Sequence, residues 1–159
     1  MHKIIVNLGN VSAAIEEIEK YQKRLENNIK EFLTRLLETG VEISKAKIME
    51  LGAFDNGELH DSLSYMLYKE GNKGIIFTDC SHACFVEFGT GIKGANSPHP
   101  TMPWAYDING HGEDGWYYYD TEQGRIRFTQ GMPSRPFMYE TTKELEQRAV
   151  EIAREVFSR

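Results

Sequence analysis

A long amphipathic stretch near the amino terminus constrains the fold of this chain more than any other feature of its sequence. Ser12 is a residue type favoured at a helix N-cap, and apolar residues then recur at three- and four-residue steps. Gln22 is the one polar break in this stripe, and Gly40 is expected to stop or kink the helix. A helix over residues 12–39 would be roughly 42 Å long, so it must pack along a sheet, another helix or a neighbouring subunit. The stripe consists of Ile15, Ile18, Leu25, Ile29, Phe32 and Leu36.

Shorter patterns after this helix predict two hairpins and a second helix. Residues 41–51 keep helical character, residues 82–88 form a short helix or strand, and Pro136 near N1 begins a C-terminal helix. Antiparallel strands with helices segregated at the two ends predict an α+β fold. We expect a single domain over residues 1–159, with the long N-terminal helix and the C-terminal helix packed against one antiparallel sheet. The expected strands are residues 3–8, 63–69, 74–79, 116–120 and 125–129.

Charge and composition limit the classes of function. The 159 residues include 18 Lys and Arg against 24 Asp and Glu, and this net charge of −6 argues against broad, nonspecific binding of nucleic acid. The apolar run from Ile4 to Val6 is too short for a secretory signal, and no apolar stretch approaches the length of about 20 residues that a membrane span requires. We therefore expect a protein made in the cytoplasm, where Cys80 and Cys84 stay reduced.

The segment from residue 94 to residue 124 is an irregular loop whose composition differs from the rest of the chain. It lacks Lys and Arg, and it holds both tryptophans and four of the eight tyrosines. A loop of this length inside one domain is usually functional, or orders only on a partner. Nucleobase stacking needs a basic groove beside the rings, whereas clustered Trp and Tyr are typical of protein–protein contacts. The predicted partner-contact residues are Trp104, Trp116 and Tyr118.

The motif FVEFGTG, which begins at Phe85, predicts a tight turn. Gly89 and Gly91 flank one threonine and permit a left-handed backbone that a Cβ would resist. Phe85 and Phe88 are expected to be buried on one side while Glu87 faces outward. These residues specify a fold, and none of them forms a reactive centre with its neighbours in the sequence.

Metal binding is the main alternative role for the polar side chains. Cys80, His82 and Cys84, with His60, would suit zinc, because a strand would place positions 80, 82 and 84 on one face. Zinc sites favour paired cysteine knuckles with two further ligands, and only one such pair is present, so small buried cysteines are the favoured interpretation.

An acidic set could hold Mg²⁺ or Ca²⁺, but EF-hand spacing is absent and such a run is more often a solvated face. The acidic set comprises Asp107, Glu113, Asp114 and Asp120, with Glu87 nearby.

Three short stretches of the chain carry a family resemblance. In DNGELHDSL, Asn56-Gly57 turns into a helical start and Ser62 is able to bond nearby backbone. ACFVEFGTG begins at Ala83, and PFMY begins at Pro136 at the start of the final helix. In this order, the three stretches resemble the "gene product ten" minor structural proteins of long-tailed phages, which include neck and tail-completion subunits.

The resemblance implies a virion subunit that forms a homo-oligomeric ring, a hexamer or dodecamer, at the head–tail junction or tail end. Such a ring is made in the host bacterial cytoplasm, contacts neighbouring head-connector and tail proteins, and lets DNA pass without specific binding. It needs no catalytic residue, cofactor, metal or membrane. A small metal-dependent nuclease and a monomeric binding module are the alternatives from other classes. The residues expected to form the turns and the interface are Gly57, Leu59, Ser62, Glu87, Phe88, Gly89, Thr90 and Gly91.

Overall fold

The amino-terminal stripe forms one helix that is longer than its sequence pattern predicts. A computed structural model of the chain describes residues 8–101, 104, 114–121 and 123–158. In it, helix α1 runs without interruption from Leu8 to Glu50. The strand predicted over residues 3–8 lies outside the described residues, except for Leu8, which begins the helix.

The prediction that Gly40 stops or kinks this helix is wrong. Gly40 lies inside α1, and the position requires glycine because a side chain there would collide with its neighbours. A Cβ at this position would lie 2.3 Å from Cδ1 of Ile76 and 3.0 Å from Cδ2 of Leu145. The glycine therefore serves close packing, which compensates for its low helix propensity.

The remaining elements follow the predicted order. Residues 82–88, for which helix and strand were both open, are helical from Ala83. Both predicted hairpins and the C-terminal helix are confirmed within one or two residues at each end. The elements are α2 (Glu58–Ser62), β1 (Ser64–Tyr68), a 3₁₀ turn (Lys69–Gly71), β2 (Lys73–Phe77), α3 (Ala83–Phe88), α4 (Gly91–Asn96), β3 (Trp116–Asp120), β4 (Arg125–Thr129) and α5 (Phe137–Phe157).

The α+β class is confirmed, but the described strands form two small sheets instead of the single sheet expected. β1 pairs only with β2, in an antiparallel register that sets Met66 opposite Ile75. This hairpin packs on α1, where a Cβ at Gly74 would lie 2.2 Å from Cδ1 of Leu37. β3 pairs with β4, setting Tyr118 opposite Arg127. The sequence periodicity identifies strands, but it does not say which hairpins join edge to edge.

Helices α1 and α5 lie antiparallel and enclose the core with the first hairpin. Phe32 of α1 contacts Phe157 at the end of α5, with ring centroids 6.0 Å apart. Towards the other end, Nζ of Lys47 lies 3.2 Å from Oε2 of Glu144. Among the described residues, no helix has the length and apolar character needed to cross a membrane. The core cluster comprises Val41, Ile48, Leu59, Leu63, Cys80, Ala83, Val86 and Phe137.

The two helices differ in length, so α5 covers only about half of α1. α1 has 43 residues and α5 has 21, which correspond to lengths of about 64 Å and about 31 Å. Because α5 ends beside Phe32, α1 extends beyond it by several turns. Every residue from 11 to 27 is exposed to solvent.

Candidate functional site

The glycine turn of FVEFGTG connects α3 to α4 and is hydrogen-bonded to the segment that precedes α5. Gly89 ends α3 with φ of 80°, and its N–H donates to the carbonyl of Phe85 at 2.8 Å. The next residue, Thr90, exchanges backbone hydrogen bonds with Met132 at 2.9 and 3.2 Å. A Cβ at Gly89 would lie 2.6 Å from the backbone nitrogen of Ser134. The turn therefore depends on glycine both for its left-handed backbone and for space.

The expectation that Glu87 faces outward and Phe85 is buried is wrong. Only 7% of the Glu87 surface is exposed, whereas Phe85 is largely exposed. The Glu87 carboxylate accepts hydrogen bonds from the backbone N–H groups of Met138 at 2.9 Å and Tyr139 at 3.1 Å. Nε2 of His99 lies 3.2 Å from the same carboxylate. The side chain satisfies N–H groups in the first turn of α5, where a negative charge is also stabilised by the helix dipole.

Backbone contacts bind the same two segments together. The carbonyl of Glu87 accepts a hydrogen bond from Oγ of Ser134 at 2.6 Å. The carbonyl of Val86 accepts one from the N–H of Arg135 at 2.8 Å. Two of the three family-like stretches, FVEFGTG and PFMY, are thus parts of one structural unit.

The third family-like stretch forms the turn before α2, as predicted. Gly57 has φ of 91°, and Oδ1 of Asn56 accepts the N–H of Glu58 at 3.0 Å. Leu59 is buried in the core. Ser62 donates to the carbonyl of Leu59 at 2.9 Å, which confirms that its hydroxyl bonds nearby backbone. The predicted turn residues therefore maintain the fold through contacts within one chain.

Both predicted partner-contact tryptophans also have contacts inside the chain. The Trp104 ring stacks on Phe88, with centroids 4.5 Å apart and planes 10° from parallel. The Trp116 ring covers Gly91, where a Cβ would lie 2.7 Å from the ring. Tyr118 is exposed. Whether the three residues contact a partner stays a prediction.

An apolar cleft of about 390 Å³ lies beside the Glu87 carboxylate. Its ionisable groups include Glu87 and His99, which are already engaged with each other and with the start of α5. Cys84 and Tyr139 also line the cleft. Of the predicted acidic set, Asp107 and Glu113 lie outside the described residues, Asp114 is exposed, and Asp120 pairs with Arg127 at 3.2 Å.

The second hairpin presents an uncovered apolar face, named here the hairpin face. Cross-strand partners lie on the same face of a sheet, so Tyr117 shares a face with Phe128, and Tyr119 shares it with Ile126. These four side chains are between 49% and 74% exposed. Tyr118 points to the opposite face, with Trp116. The sequence predicted Tyr118 as the contact residue and did not distinguish these four, because alternation along a strand does not show which face is covered.

The projecting half of α1 presents a second uncovered apolar face, named here the α1 seam. It consists of Val11, Ile15, Ile18 and Leu25, which are between 38% and 65% exposed. The same three- and four-residue spacing continues into the half-buried part of the stripe. One stripe is therefore buried in its carboxyl-terminal half and left open in its amino-terminal half.

Ion pairs between Arg35 and Glu155 and between Lys47 and Glu144 link α1 to α5, and the second shifts the pKa of both partners. Nζ of Lys47 donates to Glu50 at 2.8 Å and lies 3.2 Å from Glu144. Hydrogen bonds to Glu50 and Glu144 raise the pKa of Lys47 above 10.5. The hydrogen bond from Lys47 lowers the pKa of Glu144 below 4.5. Lys47, Glu50 and Glu144 therefore stabilise the contact between α1 and α5 and do not line the apolar cleft.

No protein-family model, curated protein or solved structure matches this chain. The resemblance of its three stretches to phage structural proteins stays a prediction from sequence. Two features of the structure therefore bear on function. One is the pair of exposed apolar faces, the α1 seam and the hairpin face. The other is the glycine turn, which fixes α3 against the segment before α5.

Proposed function

We propose that this chain is a structural subunit of a tailed phage or prophage virion that assembles with copies of itself into a ring at the head–tail junction or tail end. The observation that carries the proposal is the α1 seam, an apolar stripe that continues several turns beyond α5 without cover. The family resemblance supplies the virion location. The uncovered apolar faces support assembly with further copies of the chain.

Assembly would remove an energetic cost from the isolated subunit. A projecting helix of about 20 residues is marginally stable in water, because most helix stability in proteins comes from packing. Burying a large aliphatic side chain contributes about 1.5–3 kcal/mol. The four side chains of the α1 seam would therefore stabilise both the helix and an interface once a partner covers them.

A copy of the same chain suits these faces because a closed ring needs two different surfaces on each subunit. The α1 seam and the hairpin face lie on separate elements and are both apolar. Each subunit can thus contribute its seam to one neighbour and its hairpin face to the other. The polar Gln22 within the seam would favour one register over its alternatives.

The net charge agrees with a channel that lets DNA pass. A ring of subunits with a formal charge of −6 each has no excess of cations to displace phosphate counterions. DNA would be surrounded without being held. Neighbouring head-connector and tail proteins would contact the two ends of the ring.

Two single substitutions test the ring and its head-to-tail geometry. Ile18→Glu should disable the α1 seam and Ile126→Glu should disable the hairpin face, because both side chains are exposed and apolar. Asn27→Glu and Gln123→Glu are matched controls, since each adds one negative charge at an exposed position outside the two faces. Wild type and both controls should form rings, measured by light scattering after size exclusion and by electron microscopy.

The decisive step mixes the two disabled variants. Each alone should stay monomeric, whereas the mixture should give dimers only, since one intact seam can meet one intact hairpin face. Rings from the mixture would contradict the pairing of these two faces. A wild-type chain that stays monomeric at about 1 mM, where even 4 kcal/mol of association free energy populates dimers, would overturn self-assembly.

A further inference from the structure

Three potential metal ligands from two segments of the chain converge in the structure. One ligand atom each of Glu58, Cys80 and His82 lies within 4.8 Å of the other two. Glu58 is the first residue of α2, and the other two precede α3. We propose that these three side chains bind a zinc ion, with water as the fourth ligand, and so fasten α2 to the segment before α3.

The distance between sulfur and imidazole is close to what zinc requires. Sγ of Cys80 lies 3.2 Å from both Nδ1 and Nε2 of His82. With Zn–S near 2.3 Å and Zn–N near 2.0 Å, tetrahedral geometry sets sulfur and nitrogen about 3.5 Å apart. Binding therefore requires the two side chains to separate by about 0.3 Å, and either ring nitrogen can turn towards the ion.

The backbone holds Cys80 and His82 in place. The carbonyl of Cys80 accepts the N–H of Ala83 at 3.1 Å, and the carbonyl of His82 accepts the N–H of Val86 at 3.1 Å. Oγ1 of Thr78 accepts the N–H of Cys80 at 3.1 Å. The backbone at both ligands is therefore held by hydrogen bonds, so metal binding would restrict the motion of the side chains and little else.

Glu58 is attached to the same framework. Its N–H is capped by Asn56, and the next residue, Leu59, is buried in the core together with Cys80. At the end of α2, Oγ of Ser62 lies 2.6 Å from Oγ1 of Thr78, which links α2 to the segment before α3. The Glu58 side chain is exposed, so solvent can reach the ion and supply the fourth ligand.

The donor set selects zinc among the common biological cations. Mg²⁺ and Ca²⁺ prefer shells made of oxygen, which this site does not offer. Zinc is commonly bound by thiolate and imidazole, which few other available ions prefer together. A carboxylate is also a common zinc ligand. Three protein ligands with an open position make this a solvent-accessible site.

Two neighbouring residues of the same types are excluded by the structure, and they serve as controls. Cys84, which the sequence pattern placed with Cys80 and His82, lies inside α3 and is exposed at the apolar cleft. Nδ1 of His60 lies 2.7 Å from Asp61. The strand alternation that grouped positions 80, 82 and 84 fails because this segment is a loop followed by a helix, and nothing in the sequence pattern marked Glu58.

Metal titration of the full chain under reducing conditions tests the proposal. Zinc should bind one per chain in competition with a chromophoric chelator, and Co²⁺ should give the charge-transfer absorption of a thiolate ligand. Cys80→Ser and His82→Ala should each weaken zinc binding by at least about 100-fold, and Glu58→Gln by about tenfold. Cys84→Ser and His60→Ala should bind as wild type does.

Several results would overturn the zinc site. These are wild-type protein that leaves zinc with the chelator, a Co²⁺ complex without thiolate absorption, or a Cys80→Ser variant that binds as tightly as wild type. Because Cys80 is buried, circular dichroism must show that its variant folds; if it does not, His82→Ala decides, since its ring is only half-buried. Repeating the titration on the Ile18→Glu variant separates zinc binding from ring assembly.

Discussion

The Glu87 carboxylate accepts the backbone N–H of Met138 at 2.9 Å, across 51 positions of sequence. The same carboxylate also accepts the N–H of Tyr139, so a side chain from α3 caps α5. This contact fixes the direction in which α5 leaves the glycine turn. It explains why the charged residue of the apolar sequence FVEF is nevertheless buried.

Replacing Glu87 by glutamine should destabilise the fold without unfolding it. The amide keeps one acceptor oxygen but turns donors towards the N–H groups of α5, and a hydrogen bond to a charged group is worth about 1.5–3 kcal/mol. We expect Glu87→Gln to lower the free energy of unfolding by about 2 kcal/mol and Glu87→Ala by more, measured in urea. Glu146→Gln, at an exposed position of α5, is the control and should change it by less than about 0.5 kcal/mol. Equal effects at Glu87 and Glu146 would refute the capping role.

Two glycines with positive φ should respond differently to alanine. At Gly89 the φ is 80°, and a Cβ would lie 2.6 Å from the nitrogen of Ser134 and 2.9 Å from the carbonyl oxygen of Met132. At Gly52 the φ is 63°, and a Cβ would meet nothing within 4 Å. Gly52→Ala should cost about 1 kcal/mol for the backbone conformation alone, and Gly89→Ala about 3 kcal/mol or more because backbone atoms must also move. Thermal unfolding of both variants measures the difference, and similar losses would show that space at Gly89 is not limiting.

Local patterns in the sequence were sufficient for the elements but not for contacts between distant segments. The apolar spacing of α1 and the alternation around Tyr118 and Ile126 are visible within short windows, so the helix and hairpin were predicted. Gly40 was misread because its partner, Ile76, is 36 positions away. Glu87 was misread for the same reason, since the N–H groups that it satisfies belong to α5.

For the candidate sites, too, the sequence showed local patterns but not contacts between distant segments. The alternation of Cys80, His82 and Cys84 suggested one face of a strand, but two of these residues meet Glu58 and the third does not. The α1 stripe was recognised from its spacing. Its division into a covered and an uncovered half depends on where α5 ends, and no window of α1 contains that information.

The link between Lys47 and Glu144 should make stability fall at acid pH. The folded-state pKa of Glu144 lies below its ordinary 4.5 because Lys47 donates a hydrogen bond to it. The stability that this shift supplies is therefore present above the unfolded-state pKa and is lost as pH falls through the folded-state pKa. Glu144→Gln should lower the urea midpoint at pH 7, and its difference from wild type should vanish once the pH has fallen below the lowered folded-state pKa of Glu144. Glu146→Gln controls for loss of charge on α5, and a difference that persists in acid would contradict the role of this ion pair.

Hydrogen exchange should divide α1 into two parts at the point where α5 ends. Amides in residues 41–48 lie beside the core and should open only with global unfolding, because Val41 and Ile48 are buried there. Residues 11–27 are all exposed to solvent, so their amides should exchange through local fraying in an Ile18→Glu variant that stays monomeric. In the proposed ring a neighbouring copy would cover the α1 seam, so the same amides should be protected in assembled wild-type protein. Peptide-resolved mass spectrometry measures both states, with residues 41–48 as the internal control.

Equal protection of residues 11–27 in monomer and assembly would show that the seam remains open in the ring, and the interface would then have to be sought elsewhere.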